Sequence, residues 1–135
     1  MLLTGAAKAL AANRVAFGVG YLLAPQRTAS GWVGTAGEGT ASTVLTRAPG
    51  ARDLALGLGA LLAVGERDQR QARRWFTAHA IADGVDLIAT LRARDGLPSS
   101  GFLLGLGMAS ASTAIALAAA IGLRFDDSDA TPRSV

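Results

Sequence analysis

Between Gly96 and Leu123 the chain runs for 28 residues without one charged side chain. Roughly 20 apolar residues in helical form cross a bilayer core, so this stretch reads as a transmembrane helix. Pro98 and Ser99 suit its start and Arg124 its end. The rest of the chain agrees with a lipid setting. Half of its 135 residues are hydrophobic, 17% are charged, and the mean hydropathy is +0.35. A water-soluble domain carries about 25% charged residues, so this chain is short of groups to cover a globule. The reading is an integral membrane protein of one domain. Disorder needs low hydrophobicity and high net charge and is excluded. Zero Cys excludes a disulfide framework, and with a single His a structural zinc site has no ligands. No metal and no cofactor are expected.

The net charge of +3 does not point to nucleic acid. The Arg cluster Arg67, Arg70, Arg73 and Arg74 is interrupted by Asp68 and lies between two apolar segments. A membrane protein places its cytoplasmic loop charge there.

Four helices are expected, over residues 3–24, 49–65, 69–92 and 98–123, in an all-α transmembrane bundle spanning residues 1–125. Pro25 is read as the stop of the first helix and Pro49 as the opener of the second. The segment between them, rich in Gly, Ser and Thr, is read as a long loop, with helix only near Thr40 to Thr46 and Trp32 as an interfacial anchor. A cleaved signal peptide is the rival reading of the first segment. Lys8 and Arg14 interrupt its apolar run, and no charge precedes it. Residues 126–135 are expected to form a disordered tail.

Four spans put both termini and the Glu66–Arg74 loop on one side. Lys8, the four loop arginines, Arg124 and Arg133 lie there, against Arg27, Arg47, Arg52, Arg92 and Arg94 opposite. The bias puts both termini in the cytoplasm and the chain in the inner (plasma) membrane as a multi-pass protein. Small residues recur every four positions at Ala12, Ala16, Gly20 and Ala24 and again at Ala51, Ala55, Gly59 and Ala63, and Gly101 and Gly105 form a further pair. Such stripes let backbones approach. They suit a tight intramolecular bundle better than a dedicated dimer face, and leave a homo-oligomer open.

The informative residues are the ionisable ones inside apolar segments. His79, Asp83, Asp86 and Thr90 fall within about 60° of arc on one helix face. Two carboxylates there must point away from lipid. Arg14 is the expected counter-charge, with Tyr21 seven residues on, and Arg52 and Asp53 entering from the outer end of the second helix. The expected polar core is Arg14, Tyr21, Arg52, Asp53, His79, Asp83 and Asp86, with Ser110 and Thr113 adding hydroxyls. Its charged members sum to one negative charge. Buried ion pairs can simply fix a bundle's register, whereas ionisable groups within membranes are more often functional.

Arg14 with Gly18-Val19-Gly20-Tyr21-Leu22-Leu23-Ala24-Pro25, then Gly50-Ala51-Arg52-Asp53-Leu54-Ala55-Leu56-Gly57, then Asp83 and Asp86, resemble the uncharacterised small four-helix bacterial membrane proteins. That domain-of-unknown-function group is loosely similar to the DoxX-like proteins. The resemblance covers nearly the whole chain and implies a four-helix membrane fold with no established activity.

Two functions follow from the polar core. The first is a binding or accessory protein for a small amphiphilic ligand or a membrane partner. The second is an enzyme in which Asp83 or Asp86 acts as acid while its partner, with Arg14, completes acid–base chemistry on an apolar substrate. Epoxide opening, cyclisation or isomerisation would suit it.

Overall fold

In the computed structural model, residues 1–34 and 39–125 are described, and they are entirely helical apart from turns. Five α-helices follow in order: α1 Leu2–Leu23, α2 Pro25–Val33, α3 Thr40–Gly65, α4 Gln69–Arg92 and α5 Ser99–Gly122, with a short 3-10 turn at Arg94–Gly96 before α5. The expected tail, 126–135, lies outside the described residues.

The sequence reading expected four helices, and the fifth is α2, where a loop was expected. Pro25 ends α1 but also opens α2, because a residue at the first helical position needs no N–H partner. The Thr28 hydroxyl donates to the carbonyl of Ala24 at 3.0 Å and steadies this corner. The second correction concerns Pro49, which lies inside α3 and not at its start. The helix begins nine residues earlier, after Gly39, whose φ of 101° suits glycine. Thr43 and Thr46 hydroxyls back-bond to the carbonyls of Gly39 and Ser42 at 2.8 and 2.7 Å, turning polar side chains of this segment onto the helix itself. At the opposite end, Arg67 takes a positive φ of 58° in the α3–α4 turn. Asp68 then caps α4, accepting from the backbone N–H of Gln71 at 2.9 Å.

The four long helices form an antiparallel bundle in which α1 lies along α3 and α4 along α5. The shorter α2 crosses one end, touching α1, α3 and α5. The other end gathers Leu3 beside Gly122 and Arg67 over the ring of Phe125. Glycines set the α1–α3 distance. A Cβ on Gly18 would lie 2.6 Å from the Leu54 nitrogen, and one on Gly57 2.7 Å from the Ala11 carbonyl oxygen. No larger side chain fits at either position without parting the helices.

Burial runs opposite to that of a water-soluble bundle. The core is built mostly of alanines, among them Ala7, Ala11, Ala60, Ala72 and Ala116, around Phe76 and Leu123. Buried with them are Arg14, His79, Asp83 and Thr90. Leu58, Leu62, Ile81, Val85, Ile88, Leu103 and Ile121 stand outside. Of the described helices, α5 alone is long and apolar enough to cross a membrane by length and composition.

Candidate functional site

The close α1–α3 approach brings Arg14 onto the charges of α3. Its Nη1 donates to Oδ1 of Asp53 at 2.6 Å, and its Nη2 pairs with Oδ1 of Asp83 on α4. The other oxygen of Asp83 accepts from the hydroxyl of Ser112 on α5. Oδ1 of Asp53 also accepts from Nε of Arg52 at 3.1 Å. Arg52 in turn grips Asp86 with both terminal nitrogens, at 3.0 and 2.7 Å. This two-point fork matches the planar guanidinium to the carboxylate. The result is one continuous chain, Ser112–Asp83–Arg14–Asp53–Arg52–Asp86, that touches all four long helices.

Exposure grades along it. The side chains of Arg14 and Asp83 are 6% exposed and Asp53 13%, whereas Asp86 and Arg52 reach 30% and 34%. The deep end is therefore fixed in protein, and the Arg52–Asp86 end is the accessible one.

Beside this chain lies a cavity of about 460 Å³, within the size range of small-molecule sites. Arg14, Asp53, Asp83 and Asp86 form its polar wall. The rings of Phe17, Tyr21 and Trp32 and the side chains of Leu104, Met108 and Ile115 form much of the remainder. Its lining includes exposed residues on three helices, Ala9 and Asn13 on α1, Gly31 on α2, and Leu104, Met108 and Ala111 on α5. The mouth thus lies between α1 and α5 and reaches towards α2.

The structure brings five of the seven expected residues into the ion chain: Arg14, Arg52, Asp53, Asp83 and Asp86. Tyr21 belongs to the cavity wall, its ring 6.4 Å from that of Phe17. His79 does not join them. It is fully buried, edge-on to Phe76 at 5.3 Å between ring centres, and outside the cavity lining. Of the hydroxyls expected on α5, Ser110 is exposed and Thr113 Oγ1 is buried without a hydrogen-bond partner among the described residues. Ser112 is the residue that reaches Asp83. Ser112 follows Gly105 by seven residues and Gly101 by eleven, so heptad spacing from the glycine pair would have found it. Trp32 was also missed. Its carbonyl oxygen lies against Gly101 and its indole against Gly105, a fit that only glycines permit.

Arg14, Trp32 and Thr90 line the cavity, but Arg14 Nε, Trp32 Nε1 and Thr90 Oγ1 are buried away from it without a hydrogen-bond partner among the described residues. Three carboxylates close together could suggest a metal site, yet two guanidiniums are already paired with them. Among the described residues, no group of three or more His, Cys, Asp or Glu side chains could hold a metal ion. No protein-family model, no curated protein and no solved structure matches this chain.

Proposed function

We propose that the chain is a multi-pass protein of the inner (plasma) membrane that binds a small amphiphilic molecule between α1 and α5. In this reading α1, α3, α4 and α5 cross the bilayer with both termini cytoplasmic, as a small four-helix membrane protein of the DoxX-like kind. The residues that carry the resemblance are ones that hold this bundle together. Gly18, Gly50 and Gly57 are the close contacts of α1 with α3, and Arg52 and Asp53 belong to the ion chain. The inverted burial supports the membrane setting, since branched apolar side chains outside and arginine with aspartate inside suit lipid as solvent.

The observation that carries the binding role is the cavity itself, a volume with an ionic wall on one side and a largely apolar remainder, flanked by the most apolar helix. Native mass spectrometry of protein purified in mild detergent tests it. A small molecule should travel with the wild-type chain and be lost from Ala111→Trp, which fills the mouth. Identical spectra for the two would remove the binding role. Orientation is read separately by adding one cysteine to this cysteine-free chain. Arg70→Cys should label from the cytoplasmic side and Ser30→Cys from the other.

An acid–base enzyme is the second reading, favoured by Asp86 lying at once on the cavity wall and in the grip of Arg52. Turnover of an apolar epoxide or alkene that vanishes in Asp86→Asn, with binding retained, would move the assignment from binding to catalysis.

A further inference from the structure

We propose that the occupant of the α1–α5 cavity is a singly charged organic cation bearing one apolar chain, an inference that rests on the binding role above. Charge is the first argument. With every member ionised, the network's two guanidiniums and three carboxylates leave one negative charge unbalanced, and among the described residues no other charged side chain lines the cavity. Both guanidiniums are already bound to protein carboxylates, so neither is available to an anionic head group. Asp53 receives both of its arginines on Oδ1, which leaves Oδ2 as the acceptor a cationic centre would approach. In surroundings of low dielectric, one uncompensated charge outweighs the hydrogen bonds of a neutral head group.

Aromatic placement is the second argument. The chain has one tyrosine and two tryptophans, and Tyr21 and Trp32 line this cavity together with Phe17. Aromatic faces attract ammonium groups through their quadrupoles, most strongly where water is excluded. Such a concentration of scarce rings beside surplus carboxylate is how proteins hold substituted ammonium ions.

The third argument is the mouth. It opens between Asn13 on α1 and Met108 on α5, towards the same surroundings that the outward-facing Leu103 and Ile121 of α5 contact. A ligand entering there comes sideways from the bilayer, head group first, and leaves its chain between Leu104 and Met108.

The test uses the full chain in dodecyl maltoside, with Trp75→Phe so that Trp32 emission alone is read. Decyltrimethylammonium, decylphosphocholine, decanoate and tetramethylammonium are titrated in turn. Decyltrimethylammonium should saturate at a concentration about tenfold or more below each of the others. Asp53→Asn should weaken it by about tenfold, and Asp53→Glu should restore it. Equal or tighter binding of decylphosphocholine or decanoate would overturn the cation assignment while leaving a binding site. Equal binding of tetramethylammonium would overturn the requirement for an apolar chain. No saturable change with any probe would count against the binding role itself. If Asp53→Asn does not fold, Tyr21→Leu replaces it, and an undiminished preference for the cation in that variant would likewise overturn the assignment.

Discussion

Arg14 and Asp53 meet at 2.6 Å across an interface where α1 and α3 are separated by little more than glycine backbone. Asp53 is also where the two arginines converge, so this contact joins the buried half of the ion chain to its accessible half. Arg14→Met should leave both Asp53 and Asp83 without their shared cation. Removing one partner of a buried pair costs about 3–5 kcal/mol. The double variant Arg14→Met with Asp83→Asn should recover part of that loss, giving a coupling of roughly 1–3 kcal/mol in a double-mutant cycle followed by thermal unfolding in detergent. Additive losses would mean that Arg14 and Asp83 do not act as a pair.

Ser112 and Ser110 make an internal comparison on one helix. Ser112→Ala removes the donor to Asp83 and should destabilise by about 1–3 kcal/mol, the cost of a buried carboxylate oxygen left unmet. Ser110→Ala faces outward and should stay within about 0.5 kcal/mol. The same unfolding assay reads both, and equal effects would mean that the hydroxyl contact with Asp83 does not form.

Gly18 and Gly84 separate close approach from simple helix propensity. A Cβ on Gly18 collides with α3 backbone, whereas one on Gly84 meets nothing within 4 Å. Gly18→Ala should cost about 1–3 kcal/mol through forced separation of α1 and α3. Gly84→Ala should be neutral or stabilise by up to about 1 kcal/mol, because alanine loses less freedom in a helix. Matching behaviour of the two variants would argue against the tight interface.

Ile81 tests the solvent outside the bundle. It sits at the middle of α4 and is 65% exposed. Ile81→Lys should cost about 2.5–3.5 kcal/mol if lipid surrounds it. In water such a surface change stays within about 0.5 kcal/mol. Membrane yield and unfolding of the purified variant distinguish the two, and a lysine tolerated at no cost would remove the membrane setting.

Helical character was legible where one signal acted alone. The uncharged run from Gly96 to Leu123 is local and unambiguous. Proline misled twice because it carries two meanings, helix stop and helix opener, and only tertiary surroundings choose between them. Pro25 does both, and Pro49 does neither. The ionic part of the site was legible because a charge in an apolar segment must find a partner, and few candidates existed. His79 shares the helical face of Asp83 but lies one turn away along α4, where its imidazole packs edge-on to Phe76 and outside the cavity lining. Helical periodicity fixes angle and says nothing about which neighbour lies opposite. Trp32 was out of reach for a similar reason. Its place depends on Gly101 and Gly105, about 70 residues away in sequence, a pairing that local pattern reading does not encode.

The 39-residue separation of Arg14 from Asp53 constrains how such a chain is made. During synthesis α1 emerges first, carrying a guanidinium whose carboxylate partners Asp53 and Asp83 have yet to be translated. Under the membrane reading proposed above, that segment released alone into lipid would drag an unpaired cation to mid-bilayer. In that setting the nascent α1 would have to wait at the translocation machinery until α3 arrives, and the two would enter the membrane as a pair.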